Sequence, residues 1–191
     1  MSTQELLGVA GGIFMVAALA WNAVLVLRRK VKPALASWAI WGSLDAILAV
    51  SMYAKGVLNP QMAAAAVGAG IVFLLSIPYG KPGWNPIDKW CLTGGIVAVA
   101  LWFLTGNASV ANFLTLAAIA IGCVPTYASI KEDPSREDKT FWCLVLTSSV
   151  FALVGTTSVS LDALAQPVVF VIAQGIAVWL LFVPQKNAMR T

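Results

Sequence analysis

Apolar stretches of about 20 residues, each closed by a short polar interruption, recur along the whole chain, and about 20 residues is the length a helix needs to cross hydrocarbon. Hydropathy and helix breakers together predict seven spans, at residues 6–27, 34–54, 61–77, 87–104, 110–130, 141–160 and 163–183. The connections are rich in Gly, Pro, Asn and charge, as in residues 81–86 (KPGWNP) and 131–139 (KEDPSREDK). One connection breaks the simple pattern. Residues 21–45, WNAVLVLRRKVKPALASWAIWGSLD, run from one span through four cations into the next, and then place a carboxylate, Asp45, inside the second span.

Composition turns this pattern into a class. Of 191 residues, 60% are hydrophobic and 10% are charged, with a mean hydropathy of +0.86. A soluble domain carries roughly 25% charged residues, so this chain cannot dress a water-facing surface and is expected to be an integral membrane protein whose first partner is the lipid bilayer. The N-terminus, MSTQELLGVAGG, lacks a basic region before its apolar run, so the first span is expected to be retained.

The charges also orient it. Seven spans put the termini on opposite sides, so alternate loops share a compartment. One set holds Arg28, Arg29, Lys30, Lys32, Lys81, Lys89, Lys131, Arg136, Lys139, Lys186 and Arg190, and the other holds Lys55 alone. A wrong span count would scramble that asymmetry. The positive-inside rule then predicts an outside N-terminus and a cytoplasmic C-terminus. The net charge of +4 resides in these short loops, with no basic face interleaved with aromatics, so no nucleic-acid partner is expected.

An internal echo divides the chain. Trp21 to Trp38 spans seventeen residues across a charged loop, and so does Pro125 to Trp142. The stretches 76–81 (SIPYGK) and 182–186 (FVPQK) close the third and seventh spans alike. The predicted architecture is all-α: residues 1–80 form a first three-helix repeat, 81–107 hold a linker helix, and 108–191 form a second repeat with a short tail. An odd linker makes the two repeats parallel. Internal symmetry of this kind builds transporters, with a site near the midplane between the halves.

A pair near the end of a unit's first helix, a basic stretch, then Ser37-Trp38-Ala39-Ile40-Trp41-Gly42-Ser43-Leu44-Asp45 entering the next helix, resembles the PQ-loop pattern. That superfamily includes the SWEET sugar transporters, lysosomal cystine and cationic amino-acid exporters, and the KDEL receptors. The chain also looks like a bacterial group of small seven-span proteins, and on that resemblance the membrane is expected to be a bacterial cytoplasmic (inner) one. The pair reads Trp21-Asn22 in the first half and Pro125-Thr126 in the second, so neither half keeps Pro-Gln. The resemblance implies a 3+1+3 arrangement of helices, hinges at Trp21, Asn22, Pro125 and Thr126, and proton coupling through an aspartate at the position of Asp45.

Asp45 lies twelve residues beyond Pro33, roughly 18 Å into the bilayer at 1.5 Å per residue. A carboxylate there costs at least about 2.5 kcal/mol and marks a candidate functional site. Two roles are open to it: a proton carrier, or a structural acid held by a Ser, Thr or Asn of a neighbouring helix. Trp41 lies one turn from Asp45, on the same helical face, and is a candidate to stack on a substrate. Polar side chains at Asn22, Asn112, Thr115, Thr147, Ser148, Ser149 and Gln174 either bind helices together or serve a cavity. Asn22, Asp45, Ser149 and Gln174 are expected to face a shared one, with Asn112 as a further binding candidate. Trp21, Trp38, Trp84, Trp90, Trp142 and Trp179 fall at predicted cytoplasmic span ends, where aromatic belts form, and Trp102 lies near an outer end. The small residues 63–70 (AAAAVGAG), with Gly94 and Gly95, are expected to let helices approach closely.

Several classes fall away. A retinal protein needs a lysine in its last span, and residues 163–183 have none. The chain has no His, and Cys91, Cys123 and Cys143 lack metal-site spacing. One intramembrane carboxylate cannot form an aspartyl dyad. No enzyme activity, metal or cofactor is expected. The leading expectation is a small-molecule transporter for a small polar solute, alternating access between two repeats and proton-linked through Asp45. The alternative is a non-transporting membrane protein, either a ligand receptor or an accessory subunit with a membrane-complex partner or a homo-oligomeric one.

Overall fold

The computed structural model of the chain describes residues 1–83 and 86–183, the side chains of Ile87 and Arg136 excepted. Eight helices account for most of them: α1 (Thr3–Leu27), α2 (Leu35–Ala54), α3 (Pro60–Tyr79), α4 (Pro86–Thr105), α5 (Ala108–Gly122), α6 (Val124–Glu132), α7 (Lys139–Val154) and α8 (Leu161–Phe182). Six stretches are long and apolar enough to cross a membrane, counting α5 and α6 as one, and α7 is a shorter apolar helix. Together with an apolar exterior that includes Ile13, Leu74, Phe103 and Ile172, this describes an integral membrane protein.

The sequence explains where these helices start and stop. Ser2 and Glu5 cap α1 reciprocally, the Glu5 amide donating to Ser2 Oγ at 3.2 Å and the Ser2 amide to Glu5 Oε2 at 2.6 Å. Asn59 caps α3 by accepting from the Met62 amide at 2.8 Å, with Pro60 pre-set in the first turn. Asp138 and Ser160 do the same for α7 and α8. Gly56 and Gly106 stop α2 and α4 in the left-handed conformation, with φ of 69° and 65°.

Two spans differ from the expected ones. The sixth was expected to run to Ser160, but α7 ends at Val154 and Gly155 caps it. Its 16 residues reach about 24 Å, less than the ~30 Å hydrocarbon layer. The fifth is broken into α5 and α6 at Cys123, two residues before Pro125, whose missing N–H leaves the Ile121 carbonyl without its helical donor.

Contacts between helix ends fix their directions. Ala34 pairs with Lys81 in a single parallel bridge, the Leu35 amide donating to the Lys81 carbonyl at 3.0 Å and the Lys81 amide to the Pro33 carbonyl at 2.8 Å. A Cβ on Gly12 would press on Pro60, and one on Gly155 would collide with the Gly8 backbone. Gly8, Gly12, Lys55, Pro60, Ser109, Gly155 and Asp162 therefore gather at one end of the bundle, the Lys55 end. Arg28, Pro33, Lys81 and Asp138 gather at the other, the Arg28 end.

Packing follows small residues. α1 lies along α7 and α3; α3 packs against α1 on one side and α2 on another. α8 packs against α7 and against the α5–α6 pair, while α4 rests on α5 and α2. At the α1–α7 crossing, a Cβ on Gly11 would lie 3.0 Å from the Ala152 nitrogen, and Phe14 stacks on Phe151 with ring centroids 5.3 Å apart. Of the small residues in α3, Gly68 sits against Leu19 whereas Gly70 meets nothing within 4 Å. Gly95 abuts Leu44, and Gly94 abuts Ala118. The central core joins Met15, Leu19, Leu48, Met52, Met62 and Ile119, and a smaller cluster around Ile130, Leu180 and Leu181 lies where α6 meets α8.

Candidate functional site

Buried amides rather than charges form the most connected polar group. The Asn59 side-chain amide donates to Gln166 Oε1 at 2.8 Å, and the Gln166 amide to Gln61 Oε1 at 3.0 Å. The Gln61 amide then donates to Ser149 Oγ at 2.5 Å, and that hydroxyl to Gln174 Oε1 at 2.6 Å. All four bonds point the same way, from the loop before α3 at the Lys55 end to the fourteenth residue of α8, about 20 Å along that helix. Gln61, Gln166 and Ser149 are fully buried. The chain of bonds thus ties α3 to α7 and α8. Nearby, the Ser148 hydroxyl donates to the Gly11 carbonyl at 2.7 Å, which is reachable because Gly11 lets the two helices close up.

The seam between α2 and α5 has the opposite character. The two helices run antiparallel, with Trp41 against Gly122 toward the Arg28 end. At the Lys55 end, Lys55 Nζ lies 3.7 Å from Asp162 Oδ2, which also accepts from the Ser109 hydroxyl at 2.9 Å. The Asn112 amide donates to the Asp162 backbone carbonyl and to Asp162 Oδ1, each at 3.2 Å. Asn112 Oδ1, Thr115 Oγ1 and Asp45 Oδ1 are buried without a hydrogen-bond partner. Asp45 sits at the middle of α2 and is only 7% exposed. A carboxylate in that position with no donor is costly, and such an orphan calls for a proton, a water or a ligand.

At the Arg28 end a cavity of about 60 Å³ opens between α2, α4 and the α5–α6 break. Ser37, Trp41, Asp88, Cys91, Pro125 and Thr126 line it, with Ile40, Leu44, Ile119 and Gly122. A larger space of about 310 Å³ is an open groove between α2 and α4, walled by Ile40, Leu44, Ile47, Leu92, Ile96 and Val99. It is apolar apart from Ser43.

The residues singled out from sequence therefore divide among three places. Ser149 and Gln174 are bonded to each other. Trp41, Pro125 and Thr126 share the small cavity, and Asn112 belongs to the Asp162 cluster. Asp45 is one turn beyond Trp41 but is not among the residues lining that cavity. No side-chain hydrogen bond among the described residues joins Asp45 or Asn22 to the amide chain. Trp21 and Asn22 lie inside a continuous α1, with no break to match the one at Pro125. Trp21 instead donates from its indole nitrogen to Asp138 Oδ1 at 2.9 Å, the same oxygen that caps α7 through the Phe141 amide at 2.7 Å. Trp90 and Trp179 are exposed, while Trp38 and Trp142 pack against the core; Trp84 lies outside the described residues.

Sequence reasoning missed Gln61, Gln166 and Asn59. Their signal was the same as that of Gln174, an amide in or beside an apolar run, but they lie at span ends where polar residues attract no notice. It also missed Tyr127, whose hydroxyl donates to the Ala173 carbonyl at 2.8 Å and pins α6 to α8. Outside the spans, the Trp142 indole donates to Glu137 Oε2 at 2.9 Å. Burial pushes the Glu137 carboxyl above its ordinary value; that bond lowers it, and the adjacent Asp138 charge raises it further. Among the described residues no three His, Cys, Asp or Glu side chains converge as a metal site.

Compared with protein-family models, curated proteins and solved structures, the chain has no match.

Proposed function

We propose that the chain is a small-molecule transporter of a bacterial inner membrane, alternating access between two parallel three-helix repeats related to the PQ-loop arrangement. In this reading α1–α3 form one repeat, the fifth to seventh spans form the other, and α4 links them. The N-terminus is outside and the C-terminus cytoplasmic. One observation carries the proposal: the last helix of each set packs against both of its partners, α3 against α1 and α2, and α8 against α5–α6 and α7. Lys55 standing apart from the cations of the Arg28 end supports the orientation. Asp45 is the proton-linked residue in this scheme, because its unpartnered, buried oxygen is held at mid-span without a structural bond. The mechanism has no catalytic step and calls on no cofactor.

Flux into proteoliposomes tests it, with a panel of labelled sugars, amino acids and nucleosides and an imposed proton gradient. The expected result is gradient-dependent uptake of one class that Asp45→Asn abolishes while the variant folds and melts like wild type. Uptake of none of the panel by well-folded protein would sink the proposal.

A second reading, a receptor or an accessory subunit, is favoured by the self-satisfied amide chain and by the small size of the cavity beside Trp41 and Thr126. A stoichiometric partner captured from native membranes, with no flux, is its signature.

A further inference from the structure

The open groove between α2 and α4 joins apolar walls to a basic rim. Ile40, Leu44 and Ile47 face Leu92, Ile96 and Val99 across about 310 Å³. The hydroxyl of Ser43, the one polar side chain there, donates to the Ala39 carbonyl of its own helix at 2.7 Å. Ile40 to Ile47 and Leu92 to Val99 each run about 10 Å along their helices. Lys89 lies one turn before Leu92 on the same helical face, and both it and the adjacent Trp90 are exposed. Exposed Trp and Lys in the first turn of a span mark the level where hydrocarbon gives way to headgroups. The groove therefore begins one turn inside that level and runs toward mid-span. Lys81 is exposed at the same end of the groove, its backbone bonded to Pro33 and Leu35 where α2 starts. Asp88, next to Lys89, is buried and lines the separate small cavity.

Size and sign select the occupant. A methylene is about as large as a water molecule, so the groove has room for roughly ten of them, one stretch of acyl chain. Basic sites between transmembrane helices recognise anionic lipid headgroups. A second copy of the chain, inserted in the same direction, would instead bring its own Lys81 and Lys89 to this level, like charge against like. We infer that the groove between α2 and α4 binds one anionic phospholipid, with an acyl chain along the groove and the phosphate on Lys81 and Lys89. The inference rests on the membrane class and this groove, and does not require that the chain transports anything.

Native mass spectrometry of the full chain in nonionic detergent, titrated with dioleoyl phosphatidylglycerol or dioleoyl phosphatidylcholine, tests it. The acyl chains are identical, so a difference between the two reports the headgroup. One phosphatidylglycerol is expected to bind saturably, tighter than phosphatidylcholine by about fivefold for each lysine in contact. Glycerol phosphate, a headgroup without a chain, should not compete. Lys89→Gln is expected to weaken phosphatidylglycerol about fivefold and leave phosphatidylcholine unchanged. Lys131→Gln, the same charge change on α6, should alter neither. Ser43→Leu fills the groove and should weaken both lipids to the same extent. Ser43, Lys89 and Lys131 are all exposed, so the variants keep the fold, which their helicity checks. Equal affinity for the two lipids overturns the inference, and so does competition by glycerol phosphate. Unchanged binding by Ser43→Leu, a loss in Lys131→Gln equal to that in Lys89→Gln, or a dimer that sheds its lipid overturns it as well.

Discussion

The Gln61 amide donates to the Ser149 hydroxyl at 2.5 Å, joining the first turn of α3 to the second half of α7 across eighty-eight residues of chain. Both side chains are fully buried, so neither has water to fall back on. Polar pairs between membrane helices contribute about 0.6 kcal/mol on average and up to about 1.7. Ser149 stands between two amides, so losing it strips a partner from the Gln61 amide nitrogen and from Gln174 Oε1 together. Reversible unfolding in mixed micelles should place the Gln61→Leu, Ser149→Ala cycle near the upper figure, with a coupling of about 1.5 kcal/mol. Additive single effects would mean that the bond is not a joint between the helices.

Glycines that look alike in sequence should behave oppositely. A methyl on Gly155 runs into the backbone of Gly8, which cannot move aside without separating α1 from α7. Gly155→Ala is expected to destabilise by about 1–3 kcal/mol, the usual penalty for overpacking. Gly70 faces open space in mid-helix, so Gly70→Ala should be neutral or gain up to about 1 kcal/mol of helix propensity. Unfolding midpoints of the two variants, measured side by side, decide this.

Glu137 gives stability a pH dependence of a definite sign. Its folded pKa lies above the ordinary carboxyl value, so the folded state holds its proton more tightly than the unfolded chain. The contribution is complete below the unfolded value of about 4.3 and is lost as pH rises through the raised folded one. Glu137→Gln retains an oxygen for the Trp142 indole but does not ionise. Its stability relative to wild type should therefore increase as pH rises from about 4 through the raised folded value. A difference that stays flat across that range refutes the assignment.

Lys55 and Asp162 are partners of unequal weight. The ion pair is long, at 3.7 Å, and the Lys55 side chain is 37% exposed, so solvent screens it. Lys55→Met is expected to cost under about 1 kcal/mol. Asp162→Ala also strips partners from Ser109 and Asn112, and should cost about 1–3 kcal/mol. Chemical unfolding of both variants at low and high salt checks the ranking; salt should remove most of the Lys55 effect and only the ion-pair part of the Asp162 effect.

The linear order of apolar and polar residues determined the all-helical membrane class and most of the helix ends, because length in hydrocarbon and capping chemistry are local properties. Ser2 with Glu5, Asn59 with Pro60, and Gly56 are readable as they stand. It also marked Asp45 as out of place, while Pro125 entered only as a hinge implied by the PQ-loop resemblance, inside a span expected to be continuous. It did not show that α7 stops at Val154, where Gly155 takes the cap and lies against Gly8, on a helix nearly 150 residues away in sequence. Nor could it separate the polar residues into a satisfied chain through Gln61, Ser149 and Gln174 and an unsatisfied seam at Asp45, Asn112 and Thr115. In hydrocarbon every polar side chain looks equally costly from sequence. Whether a donor meets an acceptor depends on how far each helix slides and turns against its neighbours, and only the packed bundle decides that.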